Sequence, residues 1–253
     1  MERKKITPQD LQARKDQGKK ITRVIAYDYP MALLADKAEI DMILVGDSLA
    51  MVTMGIKDTL PVTMNEMIHH CKAVTRAVKY AMVIGDLPFL SYQPSVRDAI
   101  YNAGRLMKEG GVDAVKLEGG KEFAGTVKAI VDAGIPVVGH IGLTPQMVAK
   151  LGGFKVQGAD ISSARKIITQ KLKIPVVGIG SGPYTDGQAL NMYDLLGLFD
   201  RFTPKFVKKY ANLSQDILKA LQEYKKEVEE GTFPAEEHRY HIKDEVLQEI
   251  LKG

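Results

Sequence analysis

From residue 21 onward, short apolar runs rich in β-branched residues alternate with longer stretches whose apolar positions recur every three or four residues. That alternation predicts βα units building a parallel sheet. Seven strands are expected, at Ile21–Tyr27, Asp41–Gly46, Ala81–Gly85, Val112–Leu117, Ile135–Gly139, Ile174–Gly178 and Ala189–Tyr193. Helices are expected over Met31–Ala38, Asn65–Lys79, Ser95–Glu109, Glu122–Ala133 and roughly Asp160–Lys171, several opened by a capping Thr or Ser or closed by Gly. No linker rich in Pro, Gly or Ser divides the chain, so residues 1–253 read as one α/β domain with a helical tail from about 212 to 253. In that tail the spacing of Ile217, Leu218, Leu221 and Tyr224 predicts a long amphipathic helix packed against something.

Composition narrows the picture. With 45% hydrophobic and 26% charged residues the chain reads as an ordinary globular protein, neither disordered nor fibrous. A net charge of +4, spread along the chain, gives no reason to expect a nucleic-acid or membrane partner. The opening MERKKITPQD is followed by no apolar stretch of signal-peptide type, and no apolar run approaches a membrane span. A single cysteine, Cys71, cannot form an intrachain disulfide, which points to the cytoplasm. Within the helical pattern EMIHHCKAV, Cys71 reads as a packing residue. His238 and His241, in HRYH, have no third ligand in view and read as solvated surface.

Chemistry enters at the strand ends. LVGDS ends in Asp47 and Ser48, VIGDLPF carries Asp86, AVKLEGG carries Lys116 and Glu118, and VVGH ends in His140. Asp and Ser favour turns and caps, so any one of these has an ordinary structural reading. Four strands ending this way predict convergence at the carboxyl face of a parallel α/β barrel, where active sites are built. Three carboxylates, a lysine, a histidine and a hydroxyl, with no cysteine, suit a hard cation such as Mg²⁺ and disfavour zinc. Such an ion, chelated by an oxoacid, acidifies the carbon beside the carbonyl and so predicts enolate chemistry. The glycine cluster GIGSG, Gly178–Gly182, matches neither a dinucleotide fingerprint nor a phosphate loop. LGGFKVQG, Leu151–Gly158, reads as a loop closing over the site.

The segments DMILVGDSLAMV, GIKDTLPVTMNEMIHHCKAV, DLPFLSY, NAGRLMKEGGVDAVKLEGG, GIPVVGHIGLTPQ, GGFKVQG, IPVVGIGSG, DGQAL and PKFVKKY cover most of the chain and resemble, in order, the ketopantoate hydroxymethyltransferase family. The resemblance implies a (β/α)₈ TIM-type barrel of the phosphoenolpyruvate/pyruvate superfamily, assembled as a homodecamer. It implies hydroxymethyl transfer from methylenetetrahydrofolate to 3-methyl-2-oxobutanoate. It places Mg²⁺ on Asp47 and Asp86 with Glu118 in the outer shell. Ser48, Asp86, Lys116 and the segment at Asp47 would hold the substrate's carboxylate and keto oxygen, and His140 would hydrogen-bond it.

One departure stands out. Where the family carries a further helix, a strand ending in a glutamate and the start of another helix, this chain runs directly from Ile167 to Ile168. The absent piece, the barrel's sixth strand with its helix, corresponds to about 25–30 residues. The resemblance assigns that glutamate as the general base, and no residue here takes its place. Alternatives therefore stay open: a homologue that binds Mg²⁺ and oxoacid with impaired turnover, or a superfamily lyase or mutase.

Overall fold

The structure, a computed structural model, describes residues 3–147, 169–199, 201–241, 246 and 250. Seven strands form one sheet: β1 (Ile21–Ile25), β2 (Met42–Val45), β3 (Met82–Asp86), β4 (Ala114–Glu118), β5 (Val137–His140), β6 (Val177–Gly178) and β7 (Gly187–Asn191). Every pairing is parallel and the order is β5-β4-β3-β2-β1-β7-β6. Around a ring this is the strand succession of a TIM-type barrel in which, among the described residues, no strand stands between β5 and β6. The chain between those edges that contains the Ile167–Ile168 junction, the expected loop Leu151–Gly158 and most of the expected helix Asp160–Lys171 lies outside the described residues.

All seven expected strands form, within a few residues. The last is shifted toward the N-terminus because Asn191 already turns the chain, its side-chain oxygen accepting from Tyr193 N–H at 3.1 Å to open the short helix Met192–Leu195. The crossover helices follow their caps. Asp28 accepts from Met31 N–H at 2.9 Å at the head of α2 (Tyr29–Lys37). Thr63 and Glu66 form a capping box before the helix Met64–Ala77. Ser95 caps Val96–Lys108, and a 3₁₀ turn leads into Ala124–Asp132.

The core lies between these helices and the sheet. Cys71 is buried there, and a Cβ on Gly85 of β3 would sit 3.3 Å from its Sγ. That is packing against strand backbone, and burial pushes the thiol pKa up, away from nucleophile chemistry.

A helix that the apolar pattern does not predict, α1 (Pro8–Asp16), buries only Leu11. It is held by ion pairs instead, Arg14 to Asp41 and Lys15 to Asp186, each at 2.7 Å. Asp41 and Asp186 directly precede β2 and β7, so α1 covers the amino end of the sheet and leaves the carboxyl end for the site.

The tail helix forms over Leu213–Glu229, but none of its residues is buried. Its stripe of Ile217, Leu218, Leu221, Tyr224 and Val228 is 46–59% exposed, so apart from an edge contact of the Tyr224 ring with Phe233 the packing expected from its pattern is not made among the described residues. His238 and His241 are exposed, and His241 meets Glu236 at 3.2 Å. In GIGSG, Gly180 has φ +57° and a Cβ there would lie 2.7 Å from the Phe206 ring, so a close approach explains that glycine.

Candidate active site

Parallel strands point their carboxyl ends the same way. Asp47 and Ser48 follow β2, Asp86 ends β3, Lys116 and Glu118 lie on β4, and His140 ends β5. Register places Asp86 beside Lys116 and Glu118 beside His140, and alternate residues of β4 share a face. Lys116 Nζ donates to Asp86 Oδ2 at 2.6 Å and to Glu118 Oε1 at 3.2 Å. His140 Nδ1 lies 2.9 Å from that same Oε1. Asp47 N–H donates to Asp86 Oδ2 at 3.1 Å.

Ser48 stands apart from the carboxylates. Its Oγ pairs with the Tyr27 hydroxyl at 2.8 Å, which also accepts from Asn191 Nδ2 at 2.7 Å. Tyr27, just past β1, stacks on Tyr193 with ring centroids 5.3 Å apart.

Gln146, in the 3₁₀ turn Pro145–Met147, joins the set together. Its Nε2 donates to Asp47 Oδ2 at 2.8 Å and to the Leu87 carbonyl at 2.9 Å, and its backbone N–H donates to Glu118 Oε2 at 3.0 Å. The Tyr92 hydroxyl lies 2.9 Å from Gln146 Oε1 and accepts from Glu118 N–H at 3.2 Å. Neither Gln146 nor Tyr92 was expected from the sequence, although both lie in family-like segments. The rule that found the others looks for charge at strand ends, and these are neutral loop residues. Tyr27 obeys that rule in its weaker form, a polar side chain just beyond a strand.

Three carboxylates against the Lys116 ammonium and the nearby buried Arg23 guanidinium still leave excess negative charge in a buried place. Burial pushes the Asp47 and Asp86 pKa values up, Asp86 well up, against the pull of Lys116. Burial also works against the charge on Lys116 and Glu118. Asp86 and its neighbours nevertheless hold the ammonium pKa up, and Lys116 and His140 hold Glu118 down at about 2.

Both Glu118 oxygens are engaged, whereas Asp86 Oδ1 is buried without any hydrogen-bond partner. An orphaned carboxylate oxygen in an over-negative cluster is what a cation ligand looks like before its ion arrives. The donor set is all oxygen and fits Mg²⁺. Among the described residues no three His, Cys, Asp or Glu side chains form a cage by themselves. Two surface hollows of about 480 Å³, one beside Ser95–Tyr101 and one beside α1, carry none of this chemistry.

Fold and site together define a TIM-type (β/α) barrel with a polar, carboxylate-rich cluster at the carboxyl ends of its strands. A phosphonopyruvate hydrolase complexed with oxalate and Mg²⁺ superimposes with TM-score 0.58 at 13% identity, over 98% of this chain and 96% of that one. A 2,3-dimethylmalate lyase, itself a member of the phosphoenolpyruvate mutase/isocitrate lyase superfamily, gives 0.55 at 16% identity, over 89% of each. The chain belongs to the ketopantoate hydroxymethyltransferase family, whose model matches residues 5–170 and 162–236.

It is 55% identical to a 3-methyl-2-oxobutanoate hydroxymethyltransferase of Moorella thermoacetica over 266 aligned positions, covering 94% of this chain and 99% of the relative. It is 51% identical to one of Syntrophomonas wolfei over 273 positions, covering 97% and 99%. Both alignments are longer than this chain's 253 residues, so each relative carries residues with no counterpart here. The two family matches overlap at residues 162–170, which puts the interruption within a stretch that includes the Ile167–Ile168 junction.

Proposed function

We propose that this chain transfers a hydroxymethyl group from methylenetetrahydrofolate to 3-methyl-2-oxobutanoate, giving ketopantoate for pantothenate synthesis, in the cytoplasm and as a homo-oligomer of the decameric family type. The observation that carries the reading is the buried, over-negative cluster with the free Asp86 Oδ1, in a chain half-identical to enzymes of that name.

Asp47 and Asp86 hold Mg²⁺, and Glu118 lies outside them as an orienting carboxylate. When bound, the ion withdraws electron density from the substrate's keto group and acidifies the C3 hydrogen. Lys116, fixed between Asp86 and Glu118, presents positive charge to the substrate's carboxylate and keto oxygen. Ser48 and the Asp47 segment bound that pocket, and His140 faces the substrate from β5.

Ketopantoate formation followed by NMR tests this reading. The product is expected only with both folate and Mg²⁺, and Asp47→Ala and Asp86→Ala each abolish it. Full activity in both variants overturns the metal assignment.

The interrupted repeat supports a second reading, a homologue that binds oxoacid and Mg²⁺ with impaired turnover. Calorimetry separates the two, because that homologue binds 3-methyl-2-oxobutanoate with Mg²⁺ and forms no product. Cleavage of an oxoacid without folate would instead mark a lyase of the kind its structural neighbours include.

A further inference from the structure

Forming an enolate needs a base to take the C3 proton, and once the free oxygens of Asp47 and Asp86 are given to the cation, the hydrogen bonds of the cluster leave one ring nitrogen unbonded. Glu118 has Oε1 taken by Lys116 and His140 and Oε2 taken by the Gln146 N–H. Asp86 Oδ2 is taken by Lys116 and by the Asp47 N–H, and Asp47 Oδ2 by Gln146. The free Asp86 oxygen is committed to the cation, and Lys116 is a donor. His140 uses only Nδ1, and among the described residues nothing bonds its Nε2. Its side chain is 25% exposed, beside a Glu118 that is 1% exposed.

We propose that His140 Nε2 is the general base of this chain, held in the required tautomer by Glu118, a deepening that rests on the functional reading above. Glu118 stays ionised and can only accept, so the proton of the imidazole sits on Nδ1 and the lone pair on Nε2. Burial first, then the charges of Lys116 and Arg23, lower the pKa of the ring against the pull of Glu118. In the step itself the C3–H bond breaks and its proton passes to Nε2. The electron pair moves into the C2–C3 bond, and the carbonyl pair moves onto the keto oxygen. The imidazolium so formed is stabilised by Glu118 at 2.9 Å, the same division of labour as in a carboxylate–histidine pair of a hydrolase.

Two measurements test it on the full chain. Long-range proton–nitrogen NMR on ¹⁵N-histidine protein at neutral pH, without metal, is expected to show His140 protonated on Nδ1 and bare on Nε2. The opposite tautomer, or a doubly protonated ring, overturns the proposal. The second measurement is exchange of the C3 hydrogen of 3-methyl-2-oxobutanoate with D₂O, with Mg²⁺ and without folate. His140→Asn keeps a donor toward Glu118 but has no Nε2. It is expected to slow exchange by about 10²–10⁴ while calorimetric binding of the oxoacid with Mg²⁺ shifts less than tenfold, and imidazole is expected to restore exchange to His140→Gly. Exchange within tenfold of wild type in His140→Asn, or oxoacid binding without exchange in wild type, overturns the base assignment and leaves the binding site standing. Absence of Mg²⁺-dependent oxoacid binding in wild type takes the functional reading down, and this proposal with it.

Discussion

The two halves of the sheet are built differently. In β2, β3 and β4 every residue is buried, with helices Met64–Ala77 and Val96–Lys108 laid over them. In β5 none is, and β6 is two residues long with one buried. The closed half carries its own core, while the open half lines the seam where the family's sixth repeat has no counterpart. Most of the site stands on the closed half, with Asp47, Asp86, Lys116 and Glu118 on β2–β4, and only His140 reaches in from the seam. Loss of a repeat can therefore leave cation and oxoacid binding intact while removing part of the proton-transfer machinery.

Stability measurements can break that comparison, and the largest effect belongs to the closed half. Ile84, fully buried in β3, is expected to cost about 2–5 kcal/mol on truncation to Ala in urea melts. Val138 of β5, only partly buried, is expected to lose much less on the same change. Equal losses at the two positions would mean that the seam is covered as tightly as the core.

Acid titration probes the polar part of the closed half. Lys116 and His140 hold the Glu118 pKa at about 2 against its burial, from an ordinary 4.5. A depressed carboxylate pKa gives stability that is present above the ordinary value and lost as pH falls toward the folded one. Wild type is thus expected to lose on the order of 3 kcal/mol between pH 4.5 and 2 through this group. Glu118→Gln is expected to flatten that stretch of the profile, and an unchanged slope removes Glu118 as the acid-sensitive group.

Gln146 bridges the halves. Its turn follows β5, yet its side chain binds Asp47 and the Leu87 carbonyl beyond β2 and β3. Gln146→Ala strands those buried acceptors and is expected to cost about 1–3 kcal/mol in a thermal melt. A neutral result would show that water replaces it and that the halves are not clasped there.

Legibility from the sequence follows the same division. Strands and crossover helices were readable because burial of the sheet writes itself as apolar runs, and Asp47, Asp86, Lys116, Glu118 and His140 because charge at a strand end has no packing reason. The rest left no such trace. Helix α1 is held by Arg14 and Lys15 pairing with distant carboxylates, so it has no apolar stripe to find. Gln146 and Tyr92 are uncharged loop residues whose importance lies in satisfying a buried cluster, a three-dimensional condition. The tail helix shows the reverse, a clear stripe left half exposed among the described residues, with only Tyr224 meeting another ring, that of Phe233, because periodicity reports that a face is apolar and not what covers it.

The smallest effect is expected at the rim of the seam, where Ile141 is 60% and Ile174 64% exposed. Each adjoins a free sheet edge, Ile141 next to β5 and Ile174 just before β6. With both side chains already in water, Ile141→Thr and Ile174→Thr are expected to change stability by no more than about 0.5 kcal/mol. Their melts are also expected to depend on protein concentration no more than wild type's does. A loss of 2 kcal/mol or more at either position, growing on dilution, would show that a second copy of the chain covers the seam in solution. The contrast between the halves would then belong to the isolated chain and not to the assembled protein.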